Sequence, residues 1–368
     1  DGIARISAGA ELNVGKLLIA GDSVIIPFIP NGNTRVGSID VNLLQAQGAQ
    51  PARLTLSDIA LMNVQYFLGS QDLTVDLEDS SLRVAGQGGF SIFELRGAEI
   101  NVGEGSTLSV FDDQTPGKIY GTINVANRGQ FVVGPRFRLV LKPDLDVNLQ
   151  AGSRMFVLGG LEGSGSLGDG SIFIEEDGTS YGVLAPGNLS NLSNKQPIGT
   201  IVTNGYVQFS QSNVPSFADS LVNTGLLDGG VYAVDISVAG GLPQNDQLRY
   251  GDGNVRLSTL SHIYVNALDN PSALDLDGKE FTVVQADRAG VAGAIVLQNQ
   301  TVDIVEDSSI PALIDFIVVD RKTLGHDDVT LVAINRGLNH LTTLAPSSPN
   351  TQSLVSGLIQ TAVAAPTT

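Results

Sequence analysis

Leu82-Arg83-Val84, Leu108-Ser109-Val110, Phe131-Val132-Val133 and Met155-Phe156-Val157 are copies of one short pattern, apolar-any-apolar, and they recur at a nearly constant step along the chain. Leu12-Asn13-Val14 is a further copy, and the distance from Leu12 to Leu82 is close to three such steps. A pair containing glycine precedes most copies, as in Gly9-Ala10, Gly105-Ser106, Arg128-Gly129 and Gly152-Ser153. A repeat of this length built from strand formers is the signature of a solenoid in which each repeat is one coil. The fold expected is all-β, a right-handed parallel β-helix. Leu82, Val84, Leu108, Val110, Phe131, Val133, Met155 and Val157 should then point inward and align from coil to coil.

Composition agrees with many short strands joined by tight turns: 43 Gly and 15 Pro in 368 residues, 42% hydrophobic and only 5% aromatic. The core expected is thin and aliphatic, because coils stack at about 4.8 Å and bulky rings do not repeat comfortably at that spacing. A formal charge of −18 argues against a nucleic-acid groove or an anionic membrane surface as partner. The absence of cysteine excludes a disulfide scaffold and a thiolate zinc site, and is compatible with export. No stretch approaches the ~20 apolar residues of a membrane helix, and Asp1-Gly2-Ile3-Ala4-Arg5 is no signal peptide. The chain reads as cut from something longer, opening on a partial coil from Ile3 to Val14.

Strands are expected at Lys16 to Ile19, Ser23 to Phe28, Leu54 to Leu56, Leu73 to Leu77, Ile119 to Val125 and Phe137 to Leu141. Turn clusters at Pro30 to Asn33, Gly86 to Gly89 and Asp112 to Gly117 separate several of them. Near residue 156 the organisation changes. A glycine-dense passage from Gly159 to Gly170 leads into longer strand pairs with larger loops.

The second region carries a resemblance. Leu161-Glu162-Gly163-Ser164-Gly165-Ser166-Leu167 is followed by Leu184-Ala185-Pro186-Gly187-Asn188, Ile198-Gly199-Thr200-Ile201, Asn204-Gly205-Tyr206, Tyr232-Ala233-Val234-Asp235-Ile236, Asn245-Asp246-Gln247-Leu248 and Phe281-Thr282-Val283-Val284-Gln285-Ala286. In this order the fragments resemble the autochaperone region that ends the passenger of a type V autotransporter from a Gram-negative bacterium. The likeness covers roughly 156 to 335; the upstream repeats resemble the passenger stem in period only. Two interruptions, Leu189 to Pro197 and about Ser210 to Gly225, depart from the family pattern. The resemblance implies a stem over 1–155, an autochaperone cap over 156–340 and a linker over 341–368 toward an absent translocator barrel. It further implies display on the bacterial cell surface or secretion, with the C-terminal coils folding first and templating the rest. As plain physics, Pro186-Gly187 presets a reversal, while Leu248, Phe281 and Val283 read as inward residues of strands that cover an open solenoid end. In the tail, Leu354, Val355, Leu358, Ile359 and Val363 fall on one helical face; a linker helix and a disordered tail both fit.

No catalytic, cofactor-binding or metal-ligating residue is expected. Gly21-Asp22-Ser23 is similar to the nucleophile block of Gly-Asp-Ser-Leu lipases. Yet His262, His326 and His340 lack an aspartate at the third position before them, and a turn preceding the strand at Val24 explains the block. Acids cluster at Asp76/Glu78/Asp79, Glu175/Glu176/Asp177, Asp275/Asp277 and Asp327/Asp328. Of these, only Asp76/Glu78 and Asp275/Asp277 have the spacing to share one face of a strand. Gly165-x-x-Gly168-Asp169-Gly170 touches the nonapeptide calcium repeat without recurring. Two function classes remain. One is an adhesin stem that binds a host surface protein or glycan, or another copy of itself, through Asn and Thr ladders. The other is a scaffold and chaperone for an enzyme or toxin domain lying upstream.

Overall fold

The computed structural model describes residues 2–3, 6–7, 11–20, 23–29, 38–47, 52–57, 61–69, 73–85, 91–111, 119–176, 182–187, 198–211, 230–251, 255–257, 263–286, 304–323 and 326–335. Side chains are described from Arg53 onward, except those of 57, 176, 210–211, 320–323 and 326–327. The three turn clusters at 30–33, 86–89 and 112–117, most of both interruptions, and the tail beyond 335 lie outside these residues. The described part is β-rich, with short turns between its strands. Its helical content is one turn of α-helix, Ala273–Leu276, and a short 3-10 segment, Ala239–Gly241.

The strands assemble into four sheets, and nearly all pairings are parallel. The first sheet runs Gly2–Ile3, Ser23–Ile29, Ala52–Ser57, Leu73–Glu78, Glu99–Val102, Gly121–Val125 and Leu145–Leu149. The second holds the quoted repeats, from Glu11–Ala20 to Val255–Arg256. The third begins at Arg138–Leu141 and continues through Gly160–Gly163, Val183–Pro186, Val231–Ser237, Ile263–Ala267 and Ile304–Glu306. The fourth begins at Gly165–Ser166, where a parallel bridge from Leu149 to Gly168 carries the first sheet onward. Up to Gly121–Val125 the strands go by turns to the first and second sheets, and from Arg138–Leu141 the third sheet joins them. Alternating strands of this kind bury one side of each and leave the other for solvent.

Register identifies every repeat. Leu12 pairs with Ile39, Ile39 with Met62, and Met62 with Leu82. The gap between Leu12 and Leu82 is thus bridged by three successive strand pairings, at Ile39, Met62 and Leu82 in turn. Leu82, Leu108, Phe131 and Met155 pair in series, as do Val84, Val110, Val133 and Val157, and all eight side chains are fully buried. Beyond them the same column continues through Ile172, Val207 and Val255, with unequal and lengthening stretches of chain between successive members. The stack crosses residue 156 without a break in pairing; what changes there is the length of chain between strands. One apolar cluster extends from Leu54 to Ala333.

Two details explain the composition. The corner before each repeat needs a left-handed residue: Asp79, Gly105, Arg128 and Gly152 occupy equivalent positions, with φ of 48°, 72°, 61° and 84°. Glycine adopts this conformation without strain, hence the recurring glycine pairs. The core is less aliphatic than the low aromatic content suggests. Phe67, Phe93 and Phe137 follow one another at ring separations of 5.4 and 6.0 Å, tilted and edge-on, an arrangement that suits aromatic quadrupoles. Rings enter the stack by alternating orientation rather than by lying flat in a ladder.

At the C-terminal end the direction reverses. Glu280–Ala286 pairs antiparallel with His326–Asn335, which pairs antiparallel with Ile314–Thr323. Leu248, Phe281 and Val283 are buried as expected, and Phe281 packs edge-on against Phe316 at 6.2 Å.

Candidate binding face

On the first sheet, from Ala52–Ser57 onward, the residue between the two core positions of each strand points away from the core. Register stacks Thr55, Asp76, Asn101, Asn124 and Asn148 in one column, and Arg53, Thr74, Glu99, Thr122 and Asp146 in the column beside it. The amides form a directed chain. Asn148 Nδ2 donates to Asn124 Oδ1 at 2.9 Å, Asn124 Nδ2 to Asn101 Oδ1 at 2.8 Å, and Asn101 Nδ2 to Asp76 Oδ1 at 3.0 Å. An ionised carboxylate only accepts, so Asp76 fixes the sense of every rung above it. Its other oxygen accepts from Arg53 Nε, and Asn124 also donates to Glu99 Oε1 at 3.1 Å.

Exposure grades along the ladder: Asp76 is buried, Asn101 and Asn124 are half-buried, and Asn148 is exposed. In-line amide chains polarise one another, and each rung contributes about 0.5–1.5 kcal/mol at most to stacking. The ladder uses one N–H and one oxygen lone pair of Asn101, which leaves this rung a donor and an acceptor for an outside partner. The result is a flat strip of amides, hydroxyls and carboxylates repeated at strand spacing. It carries no pairing of nucleophile with base. Among the described residues no group of three or more His, Cys, Asp or Glu could hold a metal ion.

The residues weighed for catalysis are scattered. Ser23 opens the strand Ser23–Ile29, and the turn expected at Gly21 and Asp22 lies outside the described residues, as do the side chains of Ser23, His262, His326 and His340. Asp76 is committed to the ladder, whereas Glu78 and Asp79 are exposed at the strand end and the corner. Glu175 is buried; the side chains of Glu176 and Asp177 are not described. Asp275 and Asp277 share no strand face. Asp275 caps the short helix with Ser272, and Asp277 follows that helix and accepts from the Asn335 amide, because Ser-x-x-Asp is a capping box. Asp328 accepts from the Ala286 amide, and Asp169 from Asn204 Nδ2. The sequence suggested Asn and Thr ladders without placing them, although Val75-Asp76-Leu77, Ile100-Asn101-Val102, Ile123-Asn124-Val125 and Val147-Asn148-Leu149 form a second apolar-any-apolar series with the same near-constant step.

The fragments that carry the resemblance converge on one place in the second region. Gly163 and Gly187 exchange backbone hydrogen bonds in an antiparallel bridge. Asp246 accepts from the Gly199 amide at 2.7 Å through Oδ1 and from the Asp235 amide at 2.9 Å through Oδ2, while its own amide donates to the Asp235 carbonyl. Gly187, at φ 100°, lies where a β-carbon would press on the Asp246 carboxyl, so only glycine fits. Tyr232 Oη donates to the Val283 carbonyl at 2.6 Å, and Asn245 Nδ2 to the Thr282 carbonyl at 2.7 Å. Burial pushes Asp246 up to about 8, and raises Asp235 and Glu162 above the usual carboxylate range; Arg138 opposes the shift at Glu162.

No family model matches the chain, and no curated protein sequence matches it. Among the described residues no helix is long and apolar enough to cross a membrane, which says nothing of spanning by strands.

Proposed function

We propose that the chain is the C-terminal part of an autotransporter passenger: a right-handed parallel β-helix displayed on a bacterial surface or secreted, ending in an autochaperone region, and binding without catalysing. The observation that carries the binding role is the outward column Asp76-Asn101-Asn124-Asn148, flanked by Thr74, Glu99, Thr122 and Asp146. Each rung offers weak polar contacts, so attachment depends on many copies acting through effective concentration. Support for the autochaperone role comes from the convergence of Gly163, Gly187, Gly199 and Asp246, which gives the separate sequence fragments one physical purpose.

The partner is a host surface molecule or a second copy of the chain, and salt distinguishes them. Two surfaces of a chain with net charge −18 repel, so self-association strengthens as salt screens them, whereas attachment to a basic ligand weakens. The test is an adhesion and clumping assay of cells displaying the parent protein, comparing wild type with Asn101→Lys/Asn124→Lys. Loss of attachment with unchanged surface display supports the reading. Undiminished attachment by the double variant would remove the ladder from the account, and activity traced to an upstream domain would leave the chain as scaffold and chaperone.

A further inference from the structure

Asp246 is 2% exposed, and its carboxyl group is the only side chain joining Gly199 to the strand Val231–Ser237 among the described hydrogen bonds. The amides it holds belong to residues 47 and 11 positions away. Asp246 thereby spans one of the longest circuits of the stack. Of the charged groups on the neighbouring strands, Asp235 is the one that acts on it. On Val231–Ser237 lie Asp235, 5% exposed and bound to Asn266 Nδ2, and Tyr232, whose hydroxyl is committed to the Val283 carbonyl. On Gly160–Gly163 lies Glu162, 1% exposed and taken up by Arg138. On Ile263–Ala267, Tyr264 donates to Asp307. No salt bridge reaches Asp246 among the described residues.

We propose that Asp246 is a proton-operated latch for the C-terminal circuits: as the neutral acid it holds Gly199 and Asp235 together, and on losing its proton it lets that junction open. A neutral carboxyl still offers two oxygens to the two amides, so the tie survives protonation. An ionised one sits dry, without a cation, beside Asp235, and the penalty is relieved when water enters. Burial raises Asp246 to about 8, with Asp235 adding to the shift and the two amides opposing it. A folded-state value above that of the unfolded chain means the latch is complete below the ordinary carboxylate range and is lost as pH rises through about 8. The second region thus loosens progressively as pH rises from the ordinary carboxylate range to about 8, independently of which ligand the first region binds.

Amide hydrogen exchange on the full chain tests this. After correction for intrinsic rates, protection of Gly199 and Asp235 should fall by about tenfold or more between roughly pH 6 and pH 9, relative to Leu108 and Val133. Asp246→Asn, which cannot titrate, should abolish that relative change. If the variant fails to fold, carboxyl carbon resonances of the wild-type chain, with Asp246 assigned, give the protonation midpoint directly. Protection that moves in parallel at all four amides, a pH-dependent loss retained by Asp246→Asn, or an Asp246 midpoint below about pH 5 would each overturn the latch.

Discussion

The strands from Leu54 to Val157 and those from Leu158 to Asn335 share one core and are largely parallel up to the closing antiparallel strands, yet they are held by different means. In the first, similar residues stack on similar residues: Leu on Leu, Val on Val, Asn on Asn, at nearly even intervals. Each contact joins neighbouring circuits, so stability accumulates locally. In the second, the long excursions from Ile172 to Val207 and from Val207 to Val255 leave no periodic pattern, and single side chains tie distant segments: Asp246 to Gly199, Tyr232 to Val283, Asn245 to Thr282. Regular spacing allows repetitive bonding, while long excursions between strands demand specific fasteners.

The contrast is broken most severely by removing one partner. We expect residues 1–155 alone to lose cooperative unfolding and to aggregate, because the cut divides Arg154–Val157 and leaves the edge of Gln130–Val133 and the ends of the sheets open to other chains. Residues 156–335 should stay folded, closed by the antiparallel hairpin of Ile314–Thr323 and His326–Asn335. Comparing melts of both pieces with the whole chain checks this. An N-terminal piece that melts cooperatively at the temperature of the whole would show that the first region needs no template.

Next in size is the core itself. Phe131→Ala removes a fully buried ring between Leu108 and Met155 and should cost about 3–5 kcal/mol by chemical denaturation. Local bonding predicts that hydrogen exchange then accelerates first in the circuits of Leu108 and Met155, and only later around Leu248.

This difference also explains what could be read from sequence. The inward residues of the first region were legible because two core positions per strand recur at a nearly fixed interval. Ile39 and Met62 fill the apparent gap by the same rule. Ile172, Val207 and Val255 obey it as well, but chain inserted between strands destroys the interval without touching the register. The residues of the Asn ladder were legible in principle, as the middle positions of a second series, but were not singled out because polar middle positions read as ordinary solvent-facing ones. Asp246 and Asp235 could not be recognised as buried, since nothing local distinguishes an aspartate in a dry junction from one in a turn. Asp275 and Asp277 misled for the reverse reason: their alternate spacing suits a strand face, but Ser272 begins a helix there.

A smaller effect sharpens the account of the second region. Tyr232→Phe leaves the Val283 carbonyl without its donor in a fully buried setting and should cost about 1–3 kcal/mol while hardly changing packing volume. Its exchange signature should differ from that of Phe131→Ala, with opening at Val231–Ser237 and Glu280–Ala286 together, although the two strands are far apart in sequence. Independent opening of the two would mean that the bond is incidental and that the apolar contacts alone hold this end.

The smallest effect concerns the corners of the first region, where evenness carries a cost. Arg128 takes the left-handed conformation that Gly105 and Gly152 adopt above and below it. A side chain there costs about 1–2 kcal/mol. Arg128→Gly relieves that strain but adds flexibility to the unfolded chain and deletes an exposed pair with Glu104, which together return about 0.5–1.5 kcal/mol. The net change should be small, between a loss of about 0.5 and a gain of about 1.5 kcal/mol and centred on a slight gain. Gly152→Ala should go the other way, losing about 1–2 kcal/mol, because φ is 84° and a β-carbon would meet the Asn127 side chain. Opposite signs at two equivalent corners would confirm that the repeat selects glycine for its backbone alone. A loss at Arg128→Gly as large as that at Gly152→Ala would instead assign the corner arginine a stabilising contact worth more than its strain.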